Sequence, residues 1–142
     1  MLLVFLLFSI SLFAEVTLGI DRLDWEEFKS KKVGLIINQT SVDAKMRPIL
    51  FRFQEAGIHV HALFSPEHGL KGHQYAFEKV ADGKEKDIPV YSLHGDKRRP
   101  TKEMLKGLDT VFFDIQCTGV RAYTYQTTLF YMMEEAAKEG IE

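Results

Sequence analysis

The chain has 142 residues, with 18 Lys+Arg against 20 Asp+Glu and a formal net charge of -2, so it is one ordinary domain or a piece of a larger one. A hydrophobic content of 46% with 27% charged residues excludes intrinsic disorder, and near-neutral charge argues against a general nucleic-acid binder. A single cysteine, Cys117, excludes an intramolecular disulfide framework and a multi-cysteine zinc site.

The first 14 residues, Met1 to Ala14, hold 12 hydrophobics, two serines and no charge. That run is short of the roughly 20 apolar residues that span a bilayer. It reads as the apolar core of a secretory signal cleaved near Ala14, which predicts an extracytoplasmic protein, periplasmic or secreted. No Lys or Arg precedes the run, and Leu12 is large for the position three before the cut. A buried strand or a membrane-proximal anchor is the alternative.

From residue 15 onward the pattern alternates between strand and helix. Asp24 and Glu27 suggest a capping box for a short helix at Trp25–Lys29. Lys32 to Ile37 is a continuous apolar run, as in a strand covered on both faces. Met46 to Ala56 reads as a helix with Ile49, Leu50 and Phe53 on one stripe and Gly57 as its stop. Ile58 to Phe64 is a second strand. Residues 70–87 show no period and read as a long excursion of the functional or mobile kind. Ile88 to Leu93 is a short strand, Lys102–Lys106 a helix opened by Pro100-Thr101, Thr110 to Ile115 a strongly apolar strand, and Thr124 to Lys138 a helix stopped at Gly140. Ile141-Glu142 looks like the first step toward another strand, so the chain reads as truncated. The alternation predicts an α/β fold with a parallel sheet and helices on both faces.

Open parallel sheets place ligands beyond the carboxyl ends of their strands. Three polar exits qualify: Asn38–Ser41, Ser65–Lys71 and Asp114–Tyr125. In the second, Pro66 stiffens the exit and Gly69 permits a tight return. Glu67 then stands at the crevice mouth, where partial desolvation would raise its pKa toward general-acid range. The plainer alternative is that Glu67 caps the next element and His68 fills a hydrogen-bonded corner. His61, Glu67, His68 and His73 fall within 13 residues, yet no H-E-x-x-H spacing is present, and no metal is expected. In the third exit, Asp114 and Gln116 alternate around Ile115 and can share a face. Arg121 can pair with Asp114 or grip a carboxylate, while Tyr123 and Tyr125 offer hydroxyls or a stacking platform. The alternative there is a structural Asp114–Arg121 pair with aromatic packing. Cys117 has no triad-like partner in the sequence. Neither G-x-G-x-x-G nor a P-loop occurs, so no nucleotide cofactor is expected.

Taken in order, the motifs resemble one family. They are Val33-Gly34-Leu35-Ile36-Ile37-Asn38-Gln39-Thr40-Ser41, Phe64-Ser65-Pro66-Glu67-His68-Gly69-Leu70, Pro89-Val90-Tyr91-Ser92-Leu93 and Phe113-Asp114-Ile115-Gln116. Pro100-Thr101, Glu103-Met104-Leu105, Gly107-Leu108-Asp109 and Arg121-Ala122-Tyr123-Thr124-Tyr125 fit the same order. From about Leu18 to the end the chain resembles the exo-β-N-acetylmuramidases of the NamZ type, long catalogued as a bacterial domain of unknown function. The resemblance implies a Rossmann-like N-terminal domain, here residues 15–142 and incomplete, followed in the family by a smaller C-terminal domain across the active-site cleft. It implies an exo-acting glycosidase that removes N-acetylmuramic acid from the non-reducing ends of peptidoglycan fragments, without a cofactor and with peptidoglycan-derived oligosaccharides as partners. A non-catalytic sugar- or peptidoglycan-binding domain of the same fold is the alternative.

By the same resemblance the family's catalytic glutamate falls on Glu67. Its neighbours in the cleft fall on His68, Asn38, Asp114, Gln116, Arg121 and Tyr123. Many members read Asp-Ile-Gln-Asp-Val-Gly where this chain has Cys117-Thr118 before Gly119, which leaves Asp114 as the local acid. Glycoside hydrolysis needs a general acid and a second group, either another carboxylate or the substrate's own acetamido oxygen. Arg121 would hold the lactyl carboxylate of muramic acid. The 142-residue piece alone is expected to be a poor enzyme, since it lacks the opposing wall.

Overall fold

The computed structural model describes residues 16–142. The proposed export segment, residues 1–14, lies outside the described residues. Five strands form one sheet: β1 (Val33–Ile37), β2 (Val60–Ser65), β3 (Gly83–Glu85), β4 (Ile88–Ser92) and β5 (Thr110–Asp114), in the order β3-β4-β2-β1-β5. Pairings β1–β2, β1–β5 and β2–β4 are parallel. The helices are α1 (Ile49–Glu55), α2 (Lys102–Leu105) and α3 (Tyr125–Lys138). Taken alone, the four parallel strands run β4-β2-β1-β5, the doubly wound order. Its direction reverses between β1 and β5, where such sheets bind ligands.

The apolar runs explain the layering. All five residues of β1 are buried, because the strand is central and covered on both sides. Val33, Leu35 and Ile37 pack with Leu63, Val90 and the α1 residues Ile49 and Phe53. Ile36 points the other way, into a cluster with Ala62, Phe64, Met104, Leu105, Tyr125 and Met132. One face thus carries α1, the other α2 and α3. Gly34 lets the layers close: a Cβ there would stand 3.0 Å from Leu108 and 3.1 Å from Phe64. At the chain end, the Val111 N–H donates to the Glu142 carbonyl at 2.8 Å, and the Glu142 N–H to the Asp109 carbonyl at 3.2 Å. Residue 142 therefore bonds along the β5 edge, as a strand-like Ile141-Glu142 would.

Three local expectations need correction. Trp25–Phe28 is a 3₁₀ turn in which Asp24 accepts from the Glu26 N–H at 3.2 Å, not a capping box through Glu27. The helix expected from Met46 begins at Ile49. Met46 is left-handed at φ 61°, and Pro48 sits at the N-cap, where its missing N–H costs nothing. Finally, the excursion before β4 contains β3, which pairs antiparallel with β4, so the sheet is mixed rather than purely parallel. Gly83-Lys84-Glu85 has no buried residue, and an exposed charged edge strand leaves no apolar period to read.

The turn into α1 is tied by Asp43, which is 2% exposed. Its carboxylate accepts from the N–H groups of Lys45 and Arg47, both at 2.9 Å. It also accepts from Arg47 Nε at 2.7 Å and Arg52 Nη1 at 2.5 Å. Burial pushes this carboxyl up, but the Arg47 N–H, the Arg52 and Arg47 guanidinium groups and the Lys45 N–H outweigh it and hold it well below the usual carboxylate range. A depressed folded-state pKa stabilises the fold above the unfolded value of about 3.9, and that contribution is lost as pH falls below it. Asp43→Asn should therefore be less stable than the parent chain at pH 7 in urea unfolding. The gap should close toward about pH 2. A gap that stays constant with pH would show that the charge of Asp43 is not what ties the turn.

Candidate active site

The candidate site lies where β1, β2, β4 and β5 end and α3 begins. At the β1 exit the Asn38 N–H donates to Ser41 Oγ at 3.0 Å. Asn38 Oδ1 accepts from the Thr40 N–H at 2.8 Å and the Thr40 hydroxyl at 2.7 Å. The Thr40 oxygen in turn accepts from the Gln116 N–H at 2.9 Å, and the Ser41 hydroxyl donates to the Asp114 carbonyl. These bonds bind the β1 and β5 exits together at the point of strand reversal. They also fix the Asn38 amide so that Nδ2 is buried beside the Tyr125 phenol, with no hydrogen bond of normal geometry among the described residues. A buried donor left unmatched costs about 1–3 kcal/mol, so its position calls for a reason.

The β2 exit turns sharply through His68 at φ 69° and Gly69 at φ 77°. A Cβ on Gly69 would overlap Gln74 Oε1 at 2.1 Å. His68 Nδ1 donates to the Gln74 carbonyl at 2.8 Å, which leaves Nε2 as the ring's free nitrogen. Pro66 is fully buried, so Glu67 leaves a rigid base. Thr124, the N-cap residue of α3, makes no cap bond with its side chain. Its hydroxyl donates instead to Glu67 Oε2 at 2.6 Å. His94 Nε2, beyond β4, stands 3.6 Å from Glu67 Oε1.

Sequence reasoning missed both partners. The signal lay in the register: Ser65 pairs with Ser92 across β2 and β4. Glu67 and His94 each lie two residues beyond those serines, so parallel pairing brings them to equivalent positions.

Electrostatics also depart from expectation. Burial does push the Glu67 carboxyl up, but the Thr124 hydroxyl, His94, His68 and the Phe77 N–H together outweigh it and hold the group below its ordinary value. Glu67 therefore rests as a carboxylate, where desolvation alone had suggested a raised pKa. Asp114 behaves in the opposite way. Burial raises its carboxyl, and its Oδ2 has no hydrogen-bond partner among the described residues. Burial likewise raises the Tyr125 phenol, with Asn38 opposing the shift.

A cavity of about 570 Å³ gathers Asn38, Glu67, His68, Gln116 and Tyr123, with Tyr125 and Thr124 on its wall. That volume suits a sugar-sized ligand. Two of the expected residues stand apart. Asp114 lines a neighbouring cavity of about 730 Å³ with Phe112, Leu23 and Ile20, and the two cavities share Gln39, Thr40 and Gln116. The strand period explains this: Asp114 lies on the side of Phe112, which packs into the α1-side core. Arg121 is exposed and outside the lining of either cavity. No ion pair joins it to Asp114 or to any other acid among the described residues.

Residues 33–142 match the family model described as exo-beta-N-acetylmuramidase NamZ, N-terminal. The chain is 40% identical over 133 residues to the peptidoglycan beta-N-acetylmuramidase NamZ of Bacillus subtilis (strain 168), covering 89% of this chain and 32% of that protein. Among solved structures it is similar to two DUF1343 family proteins of Bacteroides fragilis NCTC 9343. One superposes with a TM-score of 0.76 at 38% identity, covering 87% of this chain and 32% of the other. The second gives 0.72 at 25% identity, covering 91% and 33%. The chain thus spans about a third of the length of these relatives.

Proposed function

The chain belongs to the exo-β-N-acetylmuramidase NamZ family through that family's N-terminal domain, and on that premise we propose that it serves an exo-acting glycoside hydrolase. In this reading it releases N-acetylmuramic acid from the non-reducing ends of peptidoglycan fragments outside the cytoplasm. The observation that carries the proposal is Glu67, anchored by Thr124 at 2.6 Å in a sugar-sized cavity that also holds the unmatched Asn38 Nδ2 donor.

Glu67 protonates the departing glycosidic oxygen. Asn38 donates to a carbonyl or hydroxyl oxygen of the bound sugar, which satisfies its orphan N–H. His68, Gln116 and Tyr123 complete the wall. Arg121, with no ion pair among the described residues, takes the lactyl carboxylate once substrate and the rest of the protein enclose it. The second catalytic group is either Asp114, reached from the adjoining cavity, or the substrate's own acetamido oxygen. One observation favours a non-catalytic sugar-binding role instead: among the described residues, Glu67 is the sole carboxylate lining its cavity.

The test is product analysis with the chain extended to the length of its relatives. Incubated with a defined peptidoglycan oligosaccharide whose non-reducing end is N-acetylmuramic acid, it should release that sugar alone and leave a chain one residue shorter. Internal cleavage, or binding without cleavage, would contradict the proposal.

A further inference from the structure

We propose that Glu67 and His94 work as one proton-holding pair, in which His94 Nε2 stores the proton and Glu67 delivers it to the glycosidic oxygen. This rests on the reading of Glu67 as the catalytic acid. The two groups come from neighbouring parallel strands, each two residues beyond the paired Ser65 and Ser92. His94 Nε2 lies 3.6 Å from Glu67 Oε1, with the side chains 11% and 15% exposed. Thr124 occupies the other carboxylate oxygen at 2.6 Å, so only Oε1 can serve both His94 and a substrate. The His94 backbone is held as well: its carbonyl accepts from the Val80 N–H at 2.9 Å, and its N–H donates to Ser92 Oγ at 3.2 Å.

The pair resolves a conflict in the site. Thr124, His94, His68 and the Phe77 N–H all favour the ionised form of Glu67, so the carboxyl alone is empty of its proton near neutral pH. An imidazole set against a carboxylate lets the two groups share one proton, which the carboxylate alone does not keep. Glu67 faces His94 from the β4 exit, His68 from its own loop and Tyr125 from α3. His94 faces Glu67, and with Arg98 it lines a cavity of about 60 Å³ beside Thr124 and Tyr131.

The separation is longer than a hydrogen bond, as is common before substrate arrives, and such contacts tighten in the complex with substrate. In the step itself the proton passes from His94 Nε2 to Glu67 Oε1. The Glu67 O–H then gives it to the bridging oxygen as the bond from that oxygen to the anomeric carbon breaks, its electron pair staying with the departing sugar. The anomeric carbon takes the oxygen of water in its place, directly or after the second catalytic group has held it. His94 is left neutral and Glu67 ionised, and the proton released by that water returns through solvent to restore the pair.

His94→Gln keeps a polar side chain of similar reach but cannot hold the proton. In the chain extended to the length of its relatives, the alkaline limb of kcat/KM against pH should move acidward by about one unit or more. Activity should fall at least about tenfold at pH 7 and approach the parent near pH 4.5. An alkaline shift would overturn the inference, since it would mean that His94 only stabilises the carboxylate. A loss uniform across pH would overturn it as well, marking a structural role. His94→Asn, run in parallel with thermal melting of each variant, separates misfolding from chemistry, and a folded His94→Asn with the parent's pH limb also overturns the inference. Glu67→Gln is the control for the reading underneath: activity retained there refutes Glu67 as the acid, whereas an inactive Glu67→Gln with an unmoved His94→Gln limb refutes the pair alone.

Discussion

Glu67→Gln, made in the chain extended to the length of its relatives, is expected to lower kcat on a natural disaccharide by at least about a hundredfold. The substitution preserves what the structure asks of the side chain. A glutamine oxygen still accepts from the Thr124 hydroxyl, which in the parent donates to Oε2 at 2.6 Å, and Pro66 and Gly69 still fix the loop. Substrate affinity and thermal stability should therefore change little. What is lost is the ability to carry a proton to the leaving oxygen, a contribution of about 10²–10⁴ in rate. An aryl leaving group that departs readily needs less protonation, so the loss with such a substrate should be smaller. Parent-like turnover of the natural disaccharide by Glu67→Gln would make Glu67 a scaffold residue. Asp114, with its carboxyl raised by burial and Oδ2 unpartnered, would then be the group to replace next.

Phe53→Ala should destabilise the chain by about 3–5 kcal/mol in urea unfolding, the usual cost of emptying a buried aromatic site. Phe53 is 0% exposed and sits at the centre of an aromatic chain. Its ring lies 5.1 Å from Trp25 and 5.1 Å from Phe112, both edge to face. Phe112 in turn meets Phe28 at 4.9 Å. Removing the middle ring disconnects α1 and the Trp25 turn from β5 at once. Domains of this kind hold about 5–15 kcal/mol in total, so the variant would lose a large share of its stability. Since Asp114 lies two residues beyond Phe112, the β5 exit should loosen as well. A change below about 1 kcal/mol would mean that the aromatic chain is not what joins α1 to the sheet.

The architecture was legible wherever burial leaves a compositional trace. β1 is an unbroken apolar run because it is central and covered on both faces, β2 breaks its own run only at His61 before Ser65, and the edge strand β5 still shows as Val111-Phe112-Phe113. The exits at Asn38, Ser65 and Asp114 stand out because polarity begins abruptly after them. β3 left no trace, since an exposed edge strand of Gly, Lys and Glu has nothing to bury. The site was half legible for a related reason. Glu67 follows directly from the strand-exit rule, but His94 sits in a polar stretch that runs on through Gly95, Asp96 and Lys97, and gains meaning only from the Ser65–Ser92 register. The charge state of Glu67 also depends on groups that arrive through space from β4 and α3, so sequence could offer burial and not its compensation. Asp114 and Gln116 do alternate as expected, yet Asp114 falls on the α1 side of the sheet, which the strand period alone does not tie to either cavity.

The most direct measurement of the central claim is hydrolysis of a chromogenic β-glycoside of N-acetylmuramic acid by the chain extended to the length of its relatives, with the matching N-acetylglucosamine glycoside as comparison. The account predicts turnover of the muramic acid compound, at least about tenfold preference over the sugar lacking the lactyl carboxylate, and loss of that preference on Arg121→Ala. Saturable binding of the muramic acid compound with no release of chromophore would contradict it and leave a sugar-binding domain in its place.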